Sequence, residues 1–179
     1  MQKKLISTTI LLVIVATVLI FVYRMVPSEG LLAVTITFAT TSYHFVMRLF
    51  VGAGVNGIMH NHADYEKKWY QVGKFEENLY EKLQVKKWKD RMPTYSKDTF
   101  SMKKRTIDEI VQATCQSEIT HEVIAVLSFL PILASLKFDS FMVFFITSVL
   151  AACFDLSFVV IQRYNRPRLV KMVKKMKKE

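Results

Sequence analysis

The sequence predicts an all-α integral membrane protein with about four transmembrane helices and both termini in the cytoplasm. An amphipathic helical segment is expected between helices 2 and 3. Three observations carry this reading. Half of the 179 residues are apolar, yet the net charge is +10, a combination rare in a soluble domain of this length. The apolar residues are gathered into four runs. The lysines and arginines lie almost wholly to one side of those runs.

The first run, residues 5–23, "LISTTILLVIVATVLIFVY", holds no charge. It is close to the roughly 20 residues that cross a hydrocarbon core of about 30 Å. A cleaved secretory signal has a shorter apolar region, so a retained helix is expected. The second run, 31–51, is rich in hydroxyls and carries His44 and Arg48. The third, 119–136, contains Pro131 and should kink there. The fourth, 140–161, carries Asp155, an acid that needs a partner such as Arg48 or His44. Arg48 could instead snorkel to the headgroups.

With a cytoplasmic N-terminus, 22 of the 25 lysines and arginines fall inside; only Arg24 and Lys137 lie in outer loops, and Arg48 lies within a span. That distribution obeys the positive-inside rule. The expected organisation is one membrane domain over 1–179, with a cytoplasmic segment at 52–118 and a basic tail at 162–179. The expected location is a bacterial plasma membrane, crossed several times. Cys115 and Cys153 form no spaced motif, so packing roles and no disulfide are expected.

Within the central segment, "VGAGVNG" reads as the exit from the second helix. From Tyr65 to Leu83, Trp69, Val72, Phe75, Leu79, Tyr80 and Leu83 fall on one helical face. Such a helix could lie flat on the inner leaflet or pack on the protein's own spans. Trp88 among Lys86, Lys87, Lys89 and Arg91 suits headgroup level, and Pro93 ends any helix there. A further helical stretch, about 102–118, leads into the third span. The terminal lysines read as an anionic-lipid contact.

Chemistry is expected where ionisable groups meet a membrane helix. In "SEITHEVIAV", Glu118 shares a face with His121 and Glu122. A glutamate can orient an imidazole as a general base. The plainer alternative is a helix start capped by Ser117 or Thr120, with the acids favoured by the helix dipole. "HNH" at 60–62, with Asp64 near, offers possible metal ligands, but the spacing is loose and no third histidine follows, so surface residues are expected. There is no nucleophile elbow, phosphate loop or zinc-protease histidine pair. The basic residues track the membrane face, so nucleic acid is not an expected partner. A lipid methyltransferase would need a glycine-rich nucleotide signal, which is missing.

The octapeptide "QRYNRPRL" at 162–169 carries more order than a cationic stop requires. Together with "FEENLYEKLQVKKWKDRMP" it resembles the glycosyl-4,4'-diaponeurosporenoate acyltransferase family of small membrane proteins. The matching residues are Phe75, Tyr80, Trp88, Lys89, Asp90, Arg91 and Pro93, then Glu118 and His121, then Gln162, Arg163, Tyr164, Asn165, Arg166, Pro167 and Arg168. The resemblance covers about residues 65–170. Family members often carry Asn-x-Pro before the glutamine, where this chain has Asp155 and Ser157.

The resemblance implies transfer of a fatty acyl group to a hydroxyl of a glycolipid or similar amphiphile. Chemistry then suggests the roles. His121 is the expected base, oriented by Glu118. Arg163, Arg166 and Arg168, with Lys89 and Arg91, are expected to hold a phosphate-bearing donor such as acyl-CoA. Tyr164 and Asn165 are expected to donate to the acceptor or the oxyanion. Gln162 and Trp88 complete the substrate-binding set. Asp90 is expected to lock Arg91 or an arginine of the octapeptide. No tightly bound cofactor is expected. The expected partners are membrane lipid and a lipid-linked or glycosylated acceptor. The alternative is a non-catalytic membrane module that binds anionic lipid or scaffolds an enzyme.

Overall fold

The computed structural model describes residues 2–93 and 98–178. The described residues contain helices, turns and no strand. Four helices are long and apolar enough to cross a membrane. The helices are α1 (Gln2–Met25), α2 (Glu29–Met59), α3 (Lys74–Lys82), α4 (Val85–Trp88), α5 (Ile107–Leu127), α6 (Ser135–Phe138) and α7 (Phe141–Met176). The chain divides into two compact units. One holds Met1–Ala53 with Val123–Asp155, the other Gly54–Glu122 with Leu156–Glu179.

The first unit distributes its side chains as a membrane solvent demands. Ile10, Leu11, Ile14, Val18 and Phe21 of α1 are exposed, as are Met142, Ile146 and Leu150 of α7. Thr35, Thr40, Ser42 and His44 of α2, with Ser148 and Asp155 of α7, are buried. In lipid the apolar surface has nothing to gain by hiding, and polar groups do. Four hydroxyls of α2 are satisfied within the helix, and that of Tyr43 by the Leu127 carbonyl at 2.9 Å. Thr35, Thr37, Thr41 and Ser42 each donate to the carbonyl one turn back, at 2.7–2.8 Å. That back-bonding is how a threonine-rich helix remains compatible with hydrocarbon.

Ser28 opens α2, its hydroxyl accepting from the Leu31 N–H at 3.3 Å. The helix does not leave at "VGAGVNG". It runs on through Gly52, Gly54 and Gly57 to Met59, and a Cβ on any of the three would meet nothing within 4 Å. Each glycine costs a helix about 1 kcal/mol relative to alanine, too little to end one so long. The turn is made instead by His60 and Asn61, both left-handed at φ 46° and 59°.

α5 begins at Ile107 and passes unbroken through Ser117 and Thr120, so neither caps a helix. Its start is the Thr106–Glu109 box. The Thr106 N–H donates to Glu109 at 2.8 Å, and the Glu109 N–H to the Thr106 hydroxyl at 3.3 Å. Past Leu127 the chain turns into a 3₁₀ segment, Leu130–Ala134, that contains Pro131; in place of the kink expected at that proline, the α-helix has ended before it.

The single helix expected from Tyr65 to Leu83 is two pieces, a 3₁₀ turn at Lys68–Tyr70 and α3. Between them the Gly73 N–H donates to the Glu76 carboxylate at 3.1 Å and starts α3 afresh. Trp69, Phe75, Leu79 and Leu83 are exposed, while Tyr80 is buried. α7 also outruns its expected span. At 1.5 Å per residue its 36 residues extend about 54 Å, well beyond the ~30 Å of a hydrocarbon core. "QRYNRPRL" therefore lies inside a helix, not at its end.

In the first unit, Arg48 pairs with Asp155, whose side chain is 1% exposed, and its guanidinium lies 5.8 Å from the Phe154 ring centroid. The acid has its partner and the arginine is held in the protein. Arg48→Leu alone, or Asp155→Leu alone, should cost about 3–5 kcal/mol by stranding a buried charge, and the double variant should recover most of it. Thermal unfolding in detergent checks this; a double variant as unstable as the singles would contradict it.

Candidate active site

The second unit is organised on Glu118, whose side chain is 0% exposed. Thr114 and Glu118 stand one turn apart on α5, and both are buried. Arg163 and Arg166 stand three apart on α7. Arg163 Nη1 donates to Glu118 Oε1 at 2.6 Å, and Arg166 Nη2 pairs with Glu118 Oε2. Each oxygen of one carboxylate is thus held by a different guanidinium.

Arg163 does more. Its Nε and Nη2 grip the Glu76 carboxylate at 2.8 and 2.9 Å, a two-pronged contact that fastens α3. Nη1 and Nη2 also donate to the Trp69 and Gln71 carbonyls at 2.8 and 2.9 Å. A guanidinium has five N–H groups. All five are committed.

Arg166 is 1% exposed. Its Nε donates to the Thr114 hydroxyl at 2.9 Å, Nη2 to the Thr114 carbonyl at 3.1 Å, and Nη1 to the Tyr70 carbonyl at 3.2 Å. The Tyr70 ring lies 5.1 Å from the guanidinium carbon. The backbone of 69–71 carries carbonyls with no helical ladder to satisfy, and the two arginines supply the donors.

Around this core, Tyr80 donates to Glu76 Oε1 at 3.2 Å. Burial pushes the Tyr80 hydroxyl up to about 12, so it stays protonated and able to donate. The Arg163 contact holds the Glu76 carboxyl below its ordinary value. Trp69 Nε1 donates to Glu122 Oε2 at 3.3 Å.

The sequence-predicted residues separate into groups. Glu118, Arg163 and Arg166 meet. Glu118 is engaged by the two arginines, where the sequence suggested a role in orienting His121. His121 stacks on Phe158, centroids 4.6 Å apart and planes at 15°. Tyr164 accepts from Arg168 at 3.1 Å and sets its ring edge-on to Tyr80. Gln162 is buried. Asn165 is half-buried, and its amide has no hydrogen-bond partner among the described residues.

The tryptophan element stands apart in its contacts. Trp88 Nε1 donates to the Leu83 carbonyl at 3.0 Å. Asp90 pairs with its neighbour Lys89 at 3.2 Å and is 81% exposed, so it locks neither Arg91 nor the octapeptide. Arg91 is exposed. Among the described residues no hydrogen bond or ion pair joins Trp88, Lys89, Asp90 or Arg91 to the Glu118 network.

Sequence reasoning missed Glu76, Thr114 and the Tyr70 carbonyl. Thr114 had a signal, since it lies one turn before Glu118 on the same helix face. Glu76 had a weaker one, three residues after a glycine that can start a helix. A backbone carbonyl leaves no trace in a sequence.

Span-length helices that expose apolar side chains and bury paired charges define a membrane protein. The family model for glycosyl-4,4'-diaponeurosporenoate acyltransferase matches residues 66–175, more than half of the chain, and the chain belongs to that family. No curated protein and no solved structure matches it.

The Glu76–Arg163 contact has a pH signature. A carboxyl with a lowered folded value contributes stability fully above its ordinary value of 4.5, lost as the pH falls through the lowered one. Acidification should therefore cost the wild type more thermal stability than Glu76→Gln, which starts less stable. Parallel acid titrations of the melting temperature would refute this.

Proposed function

We propose that the chain is a membrane acyltransferase that moves a fatty acyl group onto a hydroxyl of a glycolipid or similar amphiphile at the inner membrane face. The observation that carries the reading is the family match over 66–175, a stretch that contains every member of the Glu118 network. The inner face is supported by the basic residues, nearly all of which fall on one side of the four apolar runs.

His121 is the proposed base. It takes the proton of the acceptor hydroxyl as the oxygen attacks the carbonyl carbon of an acyl thioester. The tetrahedral oxyanion collapses, the carbon–sulfur bond breaks, and the thiol leaves with the proton from the imidazolium. Asn165 is the proposed oxyanion donor, since the fold does not employ its amide. Glu118, Arg163 and Arg166 act as positioning residues. They fasten α5, α7 and segment 69–76, and so fix the helix faces that carry His121 and Asn165. Tyr164, ordered by Arg168 and Tyr80, is a second contact for the acceptor.

His121→Ala in membranes supplied with labelled acyl donor should lower transfer by about 10²–10⁴-fold at unchanged protein level. Transfer at the wild-type rate would remove His121 from the mechanism. Lipid analysis of cells with and without the gene separates the enzyme from a lipid-binding module. An acylated glycolipid that disappears on deletion belongs to the enzyme, and an unchanged lipid profile to the module. The module has an observation of its own in the exposed Trp69, Phe75, Leu79 and Leu83.

A further inference from the structure

An open cleft of about 370 Å³ lies in the second unit, bordered by the turn after α2 and by the start of α5. Its lining includes His60, His62, Lys104 and Arg105. The turn is rigidly placed. His60 and Asn61 take left-handed conformations that cost a non-glycine residue about 1 kcal/mol or more each. Asn61 is fastened to α5 twice, its N–H donating to Gln116 Oε1 at 2.7 Å and its amide to the Glu109 carbonyl at 3.2 Å.

The charges in the cleft are unbalanced. Glu109 is the acid in the lining, and its Oε2 already accepts from the Thr106 N–H at 2.8 Å and the Thr106 hydroxyl at 3.0 Å. Lys104 pairs with Asp98 at 2.8 Å, but both side chains are more than half exposed, so water and salt weaken that pair. The side chains of Arg105, His60 and His62 make no hydrogen bond or ion pair among the described residues, although Glu109 lies close enough to Arg105 to feel its charge. A guanidinium, an ammonium and two imidazoles thus share one cleft with a single lining acid, Glu109, one of whose oxygens is already engaged by Thr106.

We propose that this cleft binds a phosphate ester. An oxyanion with several acceptor oxygens is the ligand that a forked guanidinium beside further donors recognises. Arg163 cannot do this work, because its five N–H groups are spent on the fold, and Arg166 is buried. A phosphate-bearing acyl donor would therefore need cations other than these two, and among those that remain Arg105 and Lys104 are gathered in one cleft. That source rests on the acyl-transfer reading. The other source of the same chemistry is an anionic lipid headgroup.

The test uses the full chain in phosphatidylcholine nanodiscs, with coenzyme A as the soluble probe and calorimetric titration as the readout. Phosphatidylglycerol retained by the protein in native mass spectrometry is the lipid arm. Arg105→Gln, shown to be folded by its melting temperature, should weaken coenzyme A binding by about tenfold or more. Arg105→Lys should recover part of the loss, and His62→Gln should weaken binding by less. Unchanged coenzyme A binding with loss of retained phosphatidylglycerol also supports the cleft and assigns the phosphate to lipid. If Arg105→Gln alters neither probe, or if the wild type binds neither, the proposal is overturned. Both readouts are independent of turnover. Loss of the acyl-transfer reading would leave a confirmed cleft standing, and loss of the cleft would leave a measured acyl transfer standing.

Discussion

A carboxylate with no solvent exposure, held between two guanidinium groups, governs the second unit. Burying Glu118 alone would be prohibitive, and one arginine would leave an oxygen unsatisfied. With Arg163 and Arg166 each taking one oxygen, the acid becomes a fixed point that three separate segments share. The arginines then spend their other donors on the Trp69, Tyr70 and Gln71 carbonyls and on Glu76. An irregular stretch that could not satisfy its own backbone is ordered in this way. Such a network stabilises only when it is complete, because any single deletion strands a charge.

The order of residues in "QRYNRPRL" follows from that geometry. Arg163 and Arg166, three apart, address one acid from one helix face. Tyr164 and Arg168, four apart, form a second pair, with the guanidinium 4.9 Å from the ring centroid. Pro167 has no N–H, so the helix bond to the Arg163 carbonyl is missing inside α7. The same rule operates in the first unit, where Arg48 and Asp155 pair among apolar helices. There both ring nitrogens of the buried His44 and the Ser148 hydroxyl lack a hydrogen-bond partner among the described residues.

The sequence carried the four span-length helices, because four apolar runs of the right length admit few other arrangements. It carried an irregularity near Pro131, expected as a kink and present as the end of α5, and the need of Asp155 for a partner. The helix ends were less legible. The fourth apolar run ends at residue 161, yet arginine and lysine are good helix formers and α7 simply continues. The glycines of α2 misled in the same direction. The 65–83 segment misled differently: apolar spacing across Gly73 imitated one face of one helix, while the Gly73–Glu76 cap split it. Glu118 was conspicuous as an acid beside a span. Its partners were not, since a local reading looks three or four residues away and Arg163 and Arg166 lie more than forty away.

That long-range pairing changes where function should be sought. The most arresting cations in the sequence are those the fold consumes. Chemistry needs groups whose donors and lone pairs are still available when a substrate arrives, and a saturated guanidinium has none to give. The octapeptide therefore divides by role. Arg163 and Arg166 build the scaffold, and Asn165, which lies between them in sequence, keeps an amide that the scaffold does not use. The same criterion selects Arg105 and the two histidines of 60–62, residues that looked like ordinary surface. A side chain held in place by its neighbours' bonds and free of bonds of its own can exchange water for a ligand at little cost in order. The Glu118 network provides that arrangement for the helix positions beside it, and the Asn61 turn provides it for the cleft.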